Sequence, residues 1–339
     1  MDNLEFWNLL DWDVMDWVAG PGNFIVLILA LLLDGVIGDP RWIPHPIRAL
    51  GGIIRWLEAQ LNHSSHSNFI LMGLGAFTSI CVIVIAGLAG WLISYIASVI
   101  PFGWLIEIIA ITMMIAQRSM IDHTYKVVCA LRTDGINGAR FAVSKIVGRD
   151  TKELDKSGVS RAAIESVAES FTDGVVAPIF WYMIFGIPGL FIYKAISTLD
   201  SMVGYRTPKY KQFGAFSARI DDVVNWIPAR IAGPMLVMAA CFYRDASAIK
   251  AFVTLFRDSS KHLSPNAGWT EAAMAGALGL RLLGPRIYNG KQKNELEWIG
   301  EGKTDADEKD IFRALYLYGI ACFLIIIILV LIFVITQFS

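Results

Sequence analysis

The chain has 339 residues, 55% of them hydrophobic, with a mean hydropathy of +0.53 and a formal net charge of −1. A composition this apolar excludes an ordinary water-soluble domain and indicates a membrane protein. A net charge near zero provides no global positive field, which argues against nucleic acid as a partner. The four cysteines show no CxxC or Cys/His spacing, so neither a disulfide framework nor a structural zinc site is predicted.

The chain opens with an acidic, tryptophan-rich segment, MDNLEFWNLLDWDVMDW. A secretory signal peptide begins with basic residues, so this segment is not typical of one. Tryptophan is enriched at the membrane–water interface. We therefore expect these first residues to form an amphipathic anchor that lies in the interface.

Apolar runs predict the membrane topology, because a helix needs about 20 apolar residues to cross the hydrocarbon core. The candidate spans are residues 23–37, 70–96, 102–116, 175–196, 227–242 and 315–335. The run 175–196 contains Gly186 and Pro188, so it is expected to be broken or packed within protein rather than exposed to lipid.

Two polar regions, residues 117–174 and 243–313, carry many Lys and Arg residues, which predicts that both are cytoplasmic. A hairpin of the runs 175–196 and 227–242 would leave the basic segment 197–226 outside. Either the positive-inside rule fails there or these two runs do not cross. The sequence predicts one membrane domain over 1–339, an all-α polytopic helical bundle with two cytoplasmic helical polar regions.

The segment RAAIESVAESFTDG repeats a charged residue every fourth position, at Arg161, Glu165, Glu169 and Asp173, and so places all four on one helix face. Three carboxylates on one face repel each other unless a cation binds them, and Mg²⁺ carrying substrate phosphates prefers such ligands. A solvated charged helix explains the same spacing. The face ends where the apolar run begins, which favours Glu165, Glu169 and Asp173 as metal ligands.

Two further clusters border apolar runs. In YKAISTLDSMVGYR, Lys194, Asp200 and Arg206 follow an apolar segment, where ionisable residues are by default functional, although snorkelling to lipid headgroups is the alternative. In ARIDDVVNWIPAR, the candidates are Arg219, Asp221, Asp222 and Asn225. Taken alone, this second cluster is also consistent with an interfacial cap made of ion pairs.

The segment LDGVIGDPRWIPHPIR sets Asp34, Asp39, His45 and Arg48 among prolines that stiffen the chain, which suits either a fixed site or a plain connector. The segment SPNAGWTEAAMAGALGLRL has small residues suited to close helix packing, with Asn266 as a polar candidate. No standard nucleotide motif is present, because GPRIYNGK has one residue too many between its glycines for a P-loop.

Five strings in this order closely resemble the CobD/CbiB family, the adenosylcobinamide-phosphate synthases, over residues 31–314. They are LLLDGVIGDPRWIPHPIR, AAIESVAESFTDGVVAPIFW, YKAISTLDSMVGYR, RIDDVVNWIPAR and SPNAGWTEAAMAGALGLRL. Five strings in register are far more specific than any single motif. Ser170 and Ser197 depart from the family pattern, in which Asn is common, so substrate preference or activity could differ.

The resemblance implies an enzyme of cobalamin biosynthesis in the cytoplasmic membrane, with its active site facing the cytoplasm. Its reaction would be an ATP-dependent amide ligation that joins aminopropanol, or aminopropanol phosphate, to the f propionate of adenosylcobyric acid. ATP and Mg²⁺ would be the cofactors, and the corrinoid and the amine the partners. The sequence leaves the oligomeric state open, with a homo-oligomer as one alternative. Because ATP is cytoplasmic, the Asp200 and Asp222 segments should lie on the same side as Glu165, which favours broken or re-entrant forms of 175–196 and 227–242.

Amide formation from a carboxylate needs a metal clamp, cations for phosphate and a base for the incoming ammonium. The residues expected to act in catalysis are Glu165, Glu169, Asp173, Lys194, Asp200 and Asp221. Those expected to bind substrate are His45, Arg48, Arg206, Arg219, Asp222, Asn225 and Asn266.

Two other classes of function are consistent with parts of this pattern. Ionisable residues beside broken apolar runs also mark transporters and channels, although no inverted repeat is visible. A corrinoid-binding membrane sensor without ligase activity is the third class. Corrinoid uptake without ATP turnover would favour the transporter, and retained binding without ligation would favour the sensor.

Overall fold

The structure is a computed structural model that describes residues 21–38, 45–284, 286–288, 291–293 and 297–338. The predicted N-terminal anchor and Asp39 lie outside the described residues. Within them the chain is mostly helical with almost no strand, which confirms the predicted all-α fold class.

The helices follow one another with connections of very different length, the longest between Leu278 and Glu308. In chain order they are α1 (Pro21–Ile37), α2 (Pro46–Leu61), α3 (Asn68–Val99), α4 (Trp104–Met114), α5 (Gln117–Thr133), α6 (Gly135–Val143), α7 (Lys156–Phe171), a π-helical turn (Thr172–Val176), α8 (Ala177–Val203), α9 (Ala215–Val224), α10 (Trp226–Ala240), α11 (Ala248–Asp258), a 3₁₀ turn (Ser259–Lys261), α12 (Ala267–Leu278) and α13 (Glu308–Phe338). The strands β1 (Leu282–Leu283) and β4 (Trp298–Ile299) pair antiparallel, as do β2 (Arg286–Tyr288) and β3 (Lys291–Lys293).

Several helical segments are long and apolar enough to cross a bilayer, which confirms a polytopic bundle. By length and composition they are Asn68–Val99, Trp104–Thr133, Lys156–Val203 and Glu308–Phe338, and the bent pair α9 and α10 makes a fifth when it is counted as one span. The predicted run 23–37 coincides with a shorter apolar helix. Large apolar side chains on α3, such as Phe77 and Leu88, are exposed, as a lipid-facing surface requires.

Helix α8 reverses direction at Gly186, whose φ of 67° and ψ of −156° lie in a region open essentially to glycine alone. The hydroxyl of Tyr193 lies 3.3 Å from the carbonyl oxygen of Asp173. A straight helix would separate these two residues by about 30 Å. The segments 177–185 and 187–203 are therefore two arms of a helical hairpin, and the prediction that the run 175–196 is broken is confirmed.

The hairpin packs against α3 where small residues permit close approach. A Cβ on Gly90 would lie 2.8 Å from the Cα of Pro188, so a larger residue there would push the hairpin tip away. The indole Nε1 of Trp181 donates to the carbonyl oxygen of Val224 at 3.1 Å, which ties the first arm to α9. Helices α9 and α10 meet at a 52° bend, so the break falls just before the run 227–242 rather than inside it.

We expect Gly186→Ala to destabilise the folded protein by about 1–3 kcal/mol, because alanine is strained at this backbone conformation. Gly73→Ala is the matched control, since nothing lies within 4 Å of a Cβ built there and its φ is not positive. Thermal unfolding in detergent measures both. Equal melting temperatures for the two variants would contradict the hairpin geometry.

Candidate functional site

Five carboxylates converge where the hairpin arms meet α7 and α9. Asp173 lies within electrostatic reach of Glu169, Asp200 and Asp221, and Asp200 lies within reach of Asp222. We call this group the acidic cluster. Its four aspartates are partly buried and Glu169 is exposed, so the cluster is accessible to a ligand from water.

The π-helical turn Thr172–Val176 places Asp173 in the cluster and frees backbone carbonyl groups for tertiary bonds. Its wider turn pairs the N–H of Ala177 with the carbonyl oxygen of Thr172. The carbonyl oxygen of Gly174 accepts from the N–H of Ala116 at 3.0 Å, which joins the turn to the α4–α5 junction. Single π turns are frequent at functional sites in other proteins.

A buried hydrogen-bonded chain orients Asp221. The Tyr193 hydroxyl lies 3.0 Å from Asn225 Oδ1, and Asn225 Nδ2 donates to Asp221 Oδ2 at 3.1 Å. Tyr193 and Asn225 are each only 1% exposed. The second hairpin arm therefore fixes the rotamer of a carboxylate on α9.

Lys194 is a buried cation between two carboxylates, Asp173 and Asp34, both within electrostatic reach. Asp34 also accepts from the backbone N–H groups of Gln117 at 2.9 Å and Arg118 at 3.4 Å, and so caps the first turn of α5. Asp34 thus has two roles near the site: it caps helix α5, and its negative charge lies within reach of Lys194.

Asp222 is held on the outer side of the cluster by residues that follow α11. Asn266 Nδ2 donates to the carbonyl oxygen of Asp222 at 2.8 Å, and Ser264 Oγ lies 3.5 Å from Asp222 Oδ1. Arg206 is exposed and within electrostatic reach of Asp222. The structure therefore brings together Arg206, Asp222 and Asn266, three residues that the sequence predicted to bind substrate.

Glu165 does not share the environment of the other predicted metal ligands. Its Oε2 lies 2.9 Å from Arg149 Nη1, and its Oε1 accepts from the N–H of Leu283 at 2.8 Å. The side chains of Glu165 and Arg149 are 6% and 10% exposed. Both oxygens are engaged within the protein, so Glu165 holds the loop and β1 onto α7, and its predicted part in a clamp with Glu169 and Asp173 stays a prediction.

The acidic cluster still fits a divalent cation delivered with phosphates. In the described part of the chain, no three Asp, Glu, His or Cys side chains form a ready-made metal site. Mg²⁺ commonly uses only one or two carboxylates and takes its other ligands from water and substrate phosphates. Glu169 and Asp173 therefore stay candidate ligands, with Asp200 and Asp221 beside them.

The other predicted substrate-binding residues lie at more peripheral places. His45 precedes α2 and its Nδ1 accepts from the N–H of Ile47 at 3.2 Å, which is a capping role. Arg48 on α2 and Arg219 on α9 are exposed. Their roles in binding stay predictions.

Sequence reasoning missed Tyr193 and Arg149. Tyr193 directly precedes Lys194, and a hydroxyl inside an apolar helix needs a partner, which is a usable signal. Arg149 lies in a loop of no regular period, so nothing local pointed to its pairing with Glu165.

We expect Tyr193→Phe to lower both the melting temperature and the activity, since Asn225 Oδ1 would lose its buried donor at a cost of about 1–3 kcal/mol. Tyr316→Phe is the control, because the Tyr316 side chain is 64% exposed. Wild-type melting and turnover in Tyr193→Phe would show that the chain to Asp221 is dispensable.

The fold and the site together define an integral membrane protein of the helical-bundle class, with a polar site assembled by a helical hairpin. The chain belongs to the CobD/CbiB family, since the family model described as "CobD/Cbib protein" matches residues 27–318.

Three relatives illustrate the similarity, and each is named "Cobalamin biosynthesis protein CobD". The protein of Brucella anthropi is 44% identical over 87% of this chain and 92% of its own length. The protein of a Sinorhizobium species is 43% identical over 88% and 94%, and that of Rhodobacter capsulatus is 43% identical over 86% and 92%. No solved structure shows a significant match.

Proposed function

We propose that this chain is a membrane enzyme of cobalamin biosynthesis that joins aminopropanol, or its phosphate, to the f propionate of adenosylcobyric acid at the expense of ATP. Membership of the CobD/CbiB family over most of the chain supports the pathway. The observation that supports this type of reaction is the acidic cluster beside the buried Lys194. Carboxylates for a metal and a cation for phosphate are the parts that such a ligation needs.

The chemistry explains why these parts are required. A carboxylate oxygen is a poor leaving group, so ATP would supply a phosphoryl group that turns it into one. The amine nitrogen then forms the C–N bond as the C–O bond to phosphate breaks, and the ammonium group must lose its protons. The protein has to hold phosphates, neutralise their charge and accept protons.

Each role falls to described residues. Glu169 and Asp173 would hold Mg²⁺. Asp221, whose carboxylate is oriented by Asn225, would lie beside the ion. Lys194 and Arg206 would balance phosphate and carboxylate charge. Asp200, on the second hairpin arm and within reach of both Glu169 and Asp222, is our candidate base for the incoming ammonium.

The direct experiment uses purified protein in detergent with ATP, Mg²⁺, adenosylcobyric acid and either amine, followed by mass spectrometry of the corrinoid. We expect a product heavier by one amine less one water, formed only with ATP. Asp305→Asn is a control variant, because Asp305 is exposed and remote in sequence from the cluster segments. Corrinoid binding without product would support the sensor alternative.

The helical hairpin gives the transporter alternative one observation in its favour, since broken helices also form transport sites. Vesicles containing the protein distinguish the two functions. Corrinoid uptake that reaches equilibrium without ATP hydrolysis or amide product would contradict the ligase proposal.

We propose that the site faces the cytoplasm in the cytoplasmic membrane. Single cysteines replacing Asp150 and Asp305, in a background without the four native cysteines, should react with a membrane-impermeant maleimide from the cytoplasmic face only. Both positions are exposed, so burial would not block labelling. Labelling of either from the opposite face would overturn this orientation.

A further inference from the structure

A cavity of ≈590 Å³ lies between α6 and the loop that follows it. This volume is in the usual range for small-molecule sites. The cavity is on the polar side of the protein, in the region 117–174, and does not include the acidic cluster. Its lining is unusual in charge, because it contains Arg140, Arg149 and Lys152 but only one carboxylate, Asp150.

Two of the cations are held in different ways: Arg149 by its ion pair with Glu165, and Arg140 by the local fold. Arg140 donates from Nε to the carbonyl oxygen of Leu154 at 2.7 Å and from Nη1 to Asn137 Oδ1 at 3.3 Å, which fixes the guanidinium. Asp150 Oδ1 accepts the N–H of Lys152 at 3.0 Å and so shapes the turn. Among the described residues, the ammonium group of Lys152 forms no ion pair.

Arg149 provides a second observation, a buried donor without a partner in the described part of the chain. Its side chain is only 10% exposed, and its Nε–H is buried with no hydrogen-bond acceptor in the described part of the chain. Buried donors are almost always paired in folded proteins. An anionic ligand in the cavity, with a slight turn of this guanidinium, would supply an acceptor.

An aromatic ring completes the cavity. Phe141 lines it, is 66% exposed, and has the Nζ of Lys145 4.5 Å from its ring centre. A flat, uncharged ring beside cations matches a nucleobase joined to phosphates, since bases stack on aromatic side chains.

Two intermediate contacts link the inner wall of the cavity to the acidic cluster. Arg149 pairs with Glu165, one helical turn before Glu169. A Cβ on the neighbouring Gly148 would lie 2.7 Å from the Tyr205 ring, and Tyr205 is within electrostatic reach of Asp200 and Glu169. Phosphates that enter along Arg140 and Lys152 would therefore extend towards the carboxylates.

We propose that this cavity binds a purine nucleoside triphosphate, with the base on Phe141 and the phosphates on Arg140, Arg149 and Lys152. The inference rests on the proposed function, for which it names the nucleotide site. It also explains how a chain without a P-loop holds a nucleotide: separate side chains on α6 and its loop do so.

The test is photolabelling of the purified full-length protein with 8-azido-ATP and Mg²⁺, followed by peptide mapping. We expect the label within residues 135–152. Lys152→Gln and Phe141→Ala should each lower labelling roughly tenfold, the loss of one charge-assisted or stacking contact. The matched controls are Lys156→Gln and Phe252→Ala, two exposed residues outside the cavity, which should label like wild type.

Every other outcome contradicts either the site or the proposed function. A label that maps elsewhere, or equal labelling of Lys152→Gln and Lys156→Gln, overturns it. Normal labelling of Phe141→Ala, with full displacement by inorganic triphosphate or by phosphatidylglycerol vesicles, would reveal a general anion site and overturn the nucleotide assignment. Amide formation by a wild type labelled elsewhere removes this site and spares the proposed function. Labelling within residues 135–152 without amide formation would keep this site and contradict the proposed function.

Discussion

Asp173→Asn is expected to reduce the rate of amide formation by roughly 100-fold or more, the usual loss when a key electrostatic group is removed from a reaction site. Asp173 lies at the centre of the acidic cluster, within reach of Glu169, Asp200, Asp221 and Lys194. Asparagine keeps the size of the side chain, and the contact with Tyr193 uses the backbone carbonyl oxygen of Asp173. The fold should therefore survive, and kcat measured beside the melting temperature separates the two effects.

A double variant tests whether Asp173 and Glu169 share one cation. Residues that act as a unit are strongly non-additive, so Glu169→Gln with Asp173→Asn should be hardly worse than the more damaging single change. A solvated charged helix predicts unchanged turnover and a small gain in stability from relieved repulsion. Wild-type rates in both single variants would end the metal proposal and leave family membership standing.

Glu165→Ala is expected to act on stability first, with a loss of about 3–5 kcal/mol, because it leaves the charge of Arg149 buried without its partner. The N–H of Leu283 would also lose its acceptor. Thermal unfolding in detergent measures the loss. The paired change Glu165→Met with Arg149→Met should recover much of it, since apolar replacement of a buried ion pair is often nearly neutral.

A different result would restore the role that the spacing assigned to Glu165. If Glu165→Ala melts like wild type but forms no amide, its carboxylate acts on substrate or metal. Glu153→Ala is the control variant, because Glu153 is a nearby acidic residue that takes part in no ion pair among the described residues. Its melting temperature should not change.

The parts of the fold predicted from sequence are those that depend on local composition. Apolar runs gave the long helices, and Gly186 followed by Pro188 marked the break in α8, because backbone conformation at these residue types is a local property. The spacing of Glu169 and Asp173 was also local, and the structure keeps them together.

The parts that could not be predicted depend on contacts between distant segments. The four-residue spacing placed Glu165 with Glu169, but pairing with Arg149 and the backbone of Leu283 decides where its carboxylate binds. Likewise, the position of Tyr193 against both Asp173 and Asn225 follows from the chain reversal. Neither contact leaves a periodic signal in the sequence.

The hairpin in α8 has a consequence for how the protein is assembled in the membrane. Its arms, residues 177–185 and 187–203, are each shorter than the roughly 20 apolar residues that let a single segment enter the bilayer by itself. Insertion of the hairpin then depends on a surface already in place, and α3, which receives the tip at Gly90, precedes it in synthesis. A bulky residue at Gly90 should therefore impair the insertion of the chain into the membrane. The expected result is degradation of the new chain, not a mature protein with a slower reaction.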